Sequence, residues 1–258
     1  MELLNADNGM SPAWSPDGAR IAFLSNRKSG WDLYTMRPDG ADLQRLTHGR
    51  APERPAWSAD SAWIAFQREK VIEAVPVDGG EIRVLLPEAG WGGAPAWAPH
   101  DDRLAYAQSG DLYLLPAPDA ASHRLTAGGA DHAPAWSPDG VTLAFSRSGA
   151  IWTVHVDSTR EHRLTEGSED DEPVWSPDGA AILFVRGGRL WSVAASGGPP
   201  APLAGLPEPA GSPSYAPGGG AFAFHAYQAG NWEIYVAQPD GSGAHSLTQA
   251  TWVSSRPD

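Results

Sequence analysis

Short apolar runs recur along the chain at nearly equal intervals, each bounded by glycine, proline or polar residues. The runs are IAFLS (21–25), WIAFQ (63–67), RLAYA (103–107), TLAFS (142–146), AILFV (181–185) and AFAFH (221–225). Short, nearly continuous apolar runs are typical of strands that are buried on both faces. No segment shows a helical period. The pattern therefore predicts an all-β protein.

A Pro-Ala-Trp-Ser-Pro-Asp-Gly motif, complete at 12–18 and 134–140, precedes these runs in recognisable form. Its aromatic anchors are Trp14, Trp57, Trp97, Trp136, Trp175 and Tyr215, separated by 43, 40, 39, 39 and 40 residues. A repeat of about 40 residues is the period of a β-propeller blade. We therefore predict one domain over 1–258, an all-β six-bladed β-propeller with four antiparallel strands in each blade.

The first copy shows how each blade is built. Strand a is predicted at 12–15, strand b at 20–25, strand c at 32–36 and strand d at 44–47. Ser-Pro-Asp-Gly suits the turn between strands a and b, because proline presets φ, aspartate bonds its own backbone and glycine accepts a positive φ. Turn chemistry therefore accounts for Asp17, Asp139 and Asp178 without a catalytic or metal site.

These repeats resemble those of the TolB-like six-bladed β-propeller family, in which a WSPDG motif precedes an IAF strand and an RLT strand closes the blade. Arg-Leu-Thr stands at 45–47, 124–126 and 163–165, and Ser-Leu-Thr at 246–248. Copy 5 departs with Pro202-Leu203-Ala204, and Glu73 replaces the aromatic residue of strand c in copy 2. The resemblance implies a non-enzymatic module that binds a protein or peptide in the periplasm or outside the cell.

Closure of the ring is ambiguous, because both termini carry a candidate strand d. Leu3 precedes Trp14 by 11 residues, and Leu247 precedes the last residue by 11. We predict that Ala244–Thr248 completes blade 6 and that residues 1–8 are loosely attached.

Charge and composition exclude several classes of partner. The formal net charge of −13 opposes binding to nucleic acid or to anionic membrane surfaces. No apolar run reaches the roughly 18 residues of a membrane span, and residues 1–20 do not resemble a signal peptide. The chain itself thus leaves a cytoplasmic protein or a trimmed chain open beside the location that the resemblance implies. We expect a monomer that does not insert into membranes.

No catalytic motif was found, whether a phosphate loop, HExxH, GxSxG or a calcium loop. The chain has no cysteine, which excludes disulfides and thiolate ligands. We therefore predict no catalytic residue, no cofactor and no metal.

Candidate binding residues lie where the d–a and b–c loops meet on one face of the ring, called the top face here. Blades 1 and 6 have the longer b–c intervals, so Trp31, Trp232 and the seam residue Trp252 are predicted to share a sector there. The alternatives are that each tryptophan covers its own blade and that the acidic run 169–172 is a solvated loop. The predicted binding residues are Trp31, Asp32, Arg54, Asp131, His132, Asp171, Glu172, Trp232, Glu233, Trp252 and Arg256.

Three functions fit these features. The first is the binding of a protein or peptide. The second is a rigid spacer or sensor cut from a larger peptidase or kinase. The third is a lactonase-like hydrolase that depends on a divalent cation, which requires carboxylates from several blades to converge on the channel.

Overall fold

The computed structural model describes residues 8–28, 30–50, 52–90 and 94–248, which form six four-stranded antiparallel sheets arranged as blades in a ring. In every sheet the strands pair in chain order, so each blade is a meander from the inner strand a to the outer strand d. The prediction of a six-bladed propeller is confirmed. No helix that is long and apolar enough to cross a membrane occurs within these ranges.

The strand bounds follow the repeat. Blades 1 to 3 contain β1 (Gly9–Trp14), β2 (Ile21–Ser25), β3 (Asp32–Met36), β4 (Gln44–Arg45), β5 (Glu53–Trp57), β6 (Trp63–Arg68), β7 (Val71–Pro76), β8 (Arg83–Leu86), β9 (Ala96–Trp97), β10 (Leu104–Gln108), β11 (Asp111–Leu115) and β12 (His123–Arg124). Blades 4 to 6 contain β13 (Asp131–Trp136), β14 (Thr142–Arg147), β15 (Ala150–His155), β16 (Glu161–Arg163), β17 (Asp170–Trp175), β18 (Ala181–Arg186), β19 (Arg189–Ala194), β20 (Ala201–Pro202), β21 (Ala210–Tyr215), β22 (Phe222–Gln228), β23 (Asn231–Ala237) and β24 (His245–Ser246).

The hydrophobic core is divided among the six junctions between neighbouring blades. Each junction holds its own cluster of buried residues from the middle two strands, as between blades 3 and 4, where Leu112 and Leu114 meet Leu143 and Phe145. Burying a phenylalanine side chain contributes about 2 to 3 kcal/mol, so these clusters bind the ring together. This explains the nearly continuous apolar runs, because each strand b contacts a blade on either side.

The junction between blades 6 and 1 closes the ring. Strand β24 pairs with β23, which confirms that the segment around Ala244–Thr248 completes blade 6. Asn8 is not loosely attached, contrary to the prediction for residues 1–8. Its backbone N–H donates to Asn26 Oδ1 (3.0 Å), and its Oδ1 accepts the backbone N–H of Trp232 (2.9 Å). Residues 1–7 lie outside the described ranges.

The Ser-Pro-Asp-Gly turns form as predicted. The Ser15 hydroxyl donates to Asp17 Oδ1 (2.5 Å), and the Ala19 N–H donates to the same oxygen (2.9 Å). Gly18 has a φ of 72°, a conformation that favours glycine. These contacts hold Asp17 in the turn on the face opposite the top face, called the bottom face here.

Candidate functional site

The six inner strands enclose a central channel. A cavity of about 330 Å³ is lined by these strands and the residues beside them, and each blade contributes its motif proline: Pro12, Pro55, Pro95, Pro134, Pro173 and Pro213. Each inner strand has one partner only and is therefore an edge strand, where proline is tolerated because its missing N–H faces away from the sheet. The Pro-Ala-Trp motif thus builds the channel wall.

Five inner strands carry a bulge immediately before this proline, where the pairing register with strand b shifts. The residue at the bulge takes a φ between 47° and 53°, which is the left-handed region. For a residue with a side chain this conformation costs roughly 1 kcal/mol, and bulges often re-aim side chains beside functional sites. The bulge residues are Ser11, Arg54, Ala133, Glu172 and Ser212.

Polar side chains from several blades meet at the top opening of the channel. A cavity of about 440 Å³ there is lined by bulge residues of blades 1, 2, 5 and 6, together with Asp171 and His225. His132 of blade 4 joins this group through Asp171. We call the set the mouth cluster: Ser11, Arg54, His132, Asp171, Glu172, Ser212 and His225.

Glu172 connects three blades within the mouth cluster. Its Oε1 lies 3.8 Å from Arg54 Nη1, so an ion pair joins blade 5 to blade 2 across the ring. Its Oε2 accepts the backbone N–H of Ser212 (2.7 Å) and the Ser212 hydroxyl (3.2 Å). Both charged side chains remain partly exposed, which leaves them accessible to a ligand.

His132 and Asp171 form a second polar pair at the opening, with Nε2 and Oδ1 3.1 Å apart. Burial raises the pKa of Asp171, but the hydrogen bond from His132, its charge and further hydrogen bonds outweigh that effect and bring the pKa to about 2. The hydrogen bond to Asp171 raises the pKa of His132 despite partial burial. The pair therefore favours the ionised forms of both groups.

His225 behaves in the opposite way, although it lines the same opening. Burial lowers the pKa of His225, and the charge of Glu172 only partly opposes that shift. Its Nδ1 accepts the backbone N–H of Ser11 (3.3 Å), so the neutral ring carries its proton on Nε2. The opening thus combines one histidine that favours the cation with one that favours the neutral ring.

Three predicted binding residues are buried inside the blades instead of facing the channel mouth. The side chains of Asp32 and Asp131 are fully buried, and Glu233 is 6% exposed. Arg147 forms a bidentate pair with Asp131, at 2.5 and 2.8 Å, and the Thr126 hydroxyl also donates to that carboxylate. The structure places these three acids within the blade packing, where each is held by a threonine hydroxyl, and not at the channel mouth.

Asp170 and these three acids each accept a hydrogen bond from a threonine hydroxyl. In blades 1, 3, 4 and 6 the threonine that closes the blade accepts a backbone N–H from strand c and donates its hydroxyl to a carboxylate. We call these the threonine-bound carboxylates; the pairs are Thr47 with Asp32, Thr126 with Asp131, Thr165 with Asp170, and Thr248 with Glu233.

The two described candidate tryptophans pack on different blades. Trp31 packs against the cluster between blades 1 and 2 and lines a cleft of about 250 Å³ that shares Ser11 with the channel mouth. Trp232 packs edge-on against His225 (4.9 Å between ring centres) and Tyr227 (5.4 Å) of its own blade. Trp252 and Arg256 fall outside the described residues.

The long b–c interval of blade 6 forms an extended hairpin and not the predicted long loop. Strands β22 and β23 pair as far as Gln228 and Asn231, which leaves only Ala229 and Gly230 in the turn. Both turn residues have a positive φ, as a two-residue hairpin requires. Trp232 therefore lies on a strand.

Sequence reasoning missed Ser11, Ser212 and His225. Ser11 and Ser212 carried a usable signal, because they immediately precede the motif proline, as Arg54 and Glu172 do. His225 carried none, because it lies within the apolar strand b of blade 6 and enters the site only through packing.

The profile of the TolB β-propeller domain (PD40) matches residues 55–195. The chain belongs to this family. A second profile, the lipoprotein LpqB β-propeller domain, matches residues 4–95. The TolB homolog of Chlorobaculum tepidum is 31% identical over 120 residues, which cover 43% of this chain and 28% of that protein. The matches span a third or less of the curated relatives' length.

Solved structures share the fold at low identity. The crystal structure of TolB from Acinetobacter baumannii has a TM-score of 0.75 at 18% identity and covers 86% of this chain and 62% of that one. An oligogalacturonate lyase in complex with manganese has a TM-score of 0.58 at 15% identity, covering 88% and 87%. Among the residues described here, no three His, Asp or Glu side chains are grouped so that they could hold a metal ion.

Proposed function

We propose that this TolB-family propeller is a non-catalytic module that binds a protein or peptide partner at the mouth cluster. The observation that carries the proposal is the convergence of bulge residues from opposite sides of the ring, with Arg54 and Glu172 only 3.8 Å apart and both partly exposed. Strained bulges that direct varied polar side chains into one opening suit recognition better than they suit fold stability.

The charges of the mouth cluster favour a polar ligand with hydrogen-bonding groups. Within the cavity of about 440 Å³, Arg54 offers donors and Asp171 and Glu172 offer acceptors. Protonated His132, in contact with Asp171, adds a donor beside it. A peptide backbone presents both kinds of group at short intervals, and Trp31 adds an apolar surface in the adjoining cleft. We therefore regard a peptide segment of a protein partner as the ligand.

The buried acids argue against the hydrolase alternative. Asp32, Asp131 and Asp170 each pair with a guanidinium group at 2.5 Å. Their charges are compensated within the blades, so these three carboxylates do not converge on the channel as a cation site would require. The rigid spacer remains the competing function. The capture experiment described below distinguishes it from a binding module.

The cellular location of the module is inferred from its TolB relatives. We infer that the module acts outside the cytoplasm, in the periplasm or beyond, as a monomer. The TolB homolog and the Tol-Pal system protein TolB among its relatives support this assignment.

Affinity capture from an extract of the source organism tests the proposal. The baits are the wild type, Arg54→Glu at the mouth cluster, and Arg37→Glu as a control on the bottom face, where Arg37 is 58% exposed. We expect a partner that the wild type and Arg37→Glu retain and Arg54→Glu loses. Equal retention by all three baits, equal loss by both variants, or no partner at all would contradict binding at the mouth cluster and favour the spacer.

A further inference from the structure

Blade 2 departs from the other blades at its outer edge. Strand β8 (Arg83–Leu86) has four residues, whereas the outermost strands of the other blades have two or three. Val84 pairs with Glu73 at the position where Arg45 pairs with Tyr34 in blade 1. It is 57% exposed, the most exposed large hydrophobic side chain in the described part of the chain. An edge strand of this length presents unpaired backbone groups beside an apolar side chain.

A groove adjoins this edge at the junction of blades 2 and 3. It has a volume of about 320 Å³ and opens on the bottom face, since its walls include residues of the a–b and c–d turns. We call it the blade 2–3 groove; Trp63, Val84, Leu85 and Trp97 form its apolar side. It is separate from the mouth cluster, which lies at the other end of the blades.

The neighbouring junction shows why the groove is open. Between blades 3 and 4, Arg103 covers Trp136 at 4.9 Å and donates to the Gly140 carbonyl (2.9 Å). Trp63 holds the equivalent place in blade 2, and Arg83 stacks on it at 4.4 Å. Trp97 is the blade 3 counterpart of Trp136. Because Trp63 occupies the position in blade 2 that Arg103 occupies in blade 3, no arginine at that position covers Trp97.

The indole of Trp97 lacks the contact that its counterparts make. Trp57, Trp136 and Trp175 each donate Nε1–H to a carbonyl of the preceding blade, at 2.9 to 3.2 Å. Among the described strand a tryptophans, Nε1 is buried without a hydrogen-bond partner in Trp97 and in Trp14, and of these two Trp97 lines the groove. A buried donor without an acceptor is unfavourable, so the junction at Trp97 lacks a stabilising contact that the junctions at Trp57, Trp136 and Trp175 have.

Charge identifies the occupant. Asp60, Asp102 and Asp119 line the groove opposite a single cation, Arg83. The Ser58 hydroxyl and the Ala62 N–H hold the pKa of Asp60 below its usual range, which keeps that carboxylate ionised at neutral pH. Three carboxylates around an apolar floor complement a segment that alternates basic and apolar residues.

We propose that the blade 2–3 groove is a second docking site, where an extended basic and apolar segment of a protein partner adds a strand to β8 and places an apolar side chain over Val84. Strand addition would pair the free edge of β8, and the basic side chains would meet the three aspartates. This site does not depend on the function proposed for the mouth cluster, because it lies on the other face and uses other residues.

The probe is a fluorescent nonapeptide of alternating lysine and valine, compared with its alternating glutamate and valine counterpart. Binding to the full chain is measured by fluorescence anisotropy at low and high salt, and amide NMR shifts locate it. We expect the lysine peptide alone to bind, more weakly at high salt, with shifts centred on 83–86. Binding of both peptides, binding of neither, or shifts centred on the mouth cluster would overturn the proposal.

Two matched pairs of variants sharpen the test. Val84→Ser should weaken binding of the lysine peptide about fivefold, whereas Val141→Ser, at an exposed valine of blade 4, should not.

The double variant Asp102→Asn with Asp119→Asn should weaken binding by about the same factor at low salt, and Asp240→Asn in the blade 6 turn should leave it unchanged. Equal losses from the controls would show attraction to the acidic surface in general and would overturn a defined groove. Arg54→Glu should leave the affinity for this peptide unchanged, which separates this site from the mouth cluster.

Discussion

Asp170 and its neighbours Asp171 and Glu172 share one acidic run but lie in opposite environments. Asp170 is fully buried, where Arg186 contacts it at 2.5 and 2.8 Å and Thr165 donates to it. Asp171 and Glu172 remain partly exposed at the channel mouth. The threonine-bound carboxylates and the mouth cluster therefore use their charges differently. The threonine-bound carboxylates hold neighbouring strands together, whereas the mouth cluster keeps its charges accessible.

Position relative to the motif proline decides between the two environments. The residue three places before proline begins strand a between blades, as Asp131 and Asp170 do, and the residue immediately before proline faces the channel. An acidic run in this family therefore has to be interpreted residue by residue, because one step along a strand reverses the side that a side chain faces.

The threonine and its acid also occur together. Blades 1, 3, 4 and 6 have both, with the acid supplied by strand c or by the next strand a. In blades 2 and 5, Leu86 and Ala204 replace the threonine, and neither supplying position holds an acid. This pairing is expected, because a buried threonine hydroxyl or a buried carboxylate without its partner is unfavourable.

The largest expected effect comes from removing a buried acid. Asp170→Ala leaves the Arg186 guanidinium and the Thr165 hydroxyl without their partner, and we expect a loss of about 3 kcal/mol in the free energy of unfolding. Urea denaturation measures it. The matched control is Asp171→Ala, one residue away, which should cost less than about 1 kcal/mol. Equal losses from the two variants would contradict the distinction between the regions.

A smaller effect is expected from the threonine. Thr165→Val removes the hydroxyl that accepts the Ile151 N–H (2.9 Å) and donates to Asp170, which should lower the free energy of unfolding by about 1 to 2 kcal/mol. A double-mutant cycle with Asp170→Asn should show coupling of about 1 kcal/mol. Additive losses would show that the two side chains act independently and would break the proposed pairing.

Loss of the ion pair at the channel mouth should hardly change stability. In Glu172→Gln the side-chain carbonyl still accepts the Ser212 N–H, and the pair with Arg54 is long and partly exposed. We expect a change of less than about 1 kcal/mol in the free energy of unfolding, measured by urea denaturation beside Asp170→Ala. A loss as large as that of Asp170→Ala would assign Glu172 a structural role.

The smallest effect is electrostatic and is measured by NMR titration of the two histidines at the mouth cluster. His132 should titrate above the ordinary histidine pKa and His225 below it. Asp171→Asn should lower the pKa of His132 and leave that of His225 nearly unchanged. Titration of both rings at the same pH would contradict the described contacts.

The same shifts set the sign of the pH dependence. Because the folded pKa of His132 is raised, its contribution to stability is full below the unfolded histidine pKa and fades as pH rises through the folded value. The pKa of Asp171 is lowered to about 2 in the folded protein. Its contribution to stability is therefore present above the unfolded aspartate pKa and is lost as pH falls from there through the folded value. His225 favours the neutral ring, so acidification below the unfolded histidine pKa should lower stability.

The fold could be predicted from the sequence because an aromatic strand a, a short turn and an apolar strand b recur six times at nearly equal spacing. Strand β3 matches the predicted bounds 32–36, and the Asp17 turn forms as expected. The sequence predicted the mouth cluster only in part: Arg54, His132, Asp171 and Glu172 meet there, but Asp32 and Asp131 do not. The direction of each side chain depends on the bulge before proline, and a bulge shifts register by one residue without a signal in hydrophobic pattern.

In the proposed division of roles, the mouth cluster binds a partner while the threonine-bound carboxylates only stabilise the ring. The affinity of the captured partner, measured by calorimetry at a temperature where all variants are folded, tests it most directly. Arg54→Gln with Glu172→Gln should weaken binding at least about tenfold and leave the Tm within a few degrees. Asp170→Asn should lower the Tm more and leave the affinity unchanged. A partner that binds the first variant normally and loses affinity only for the second would contradict the claim.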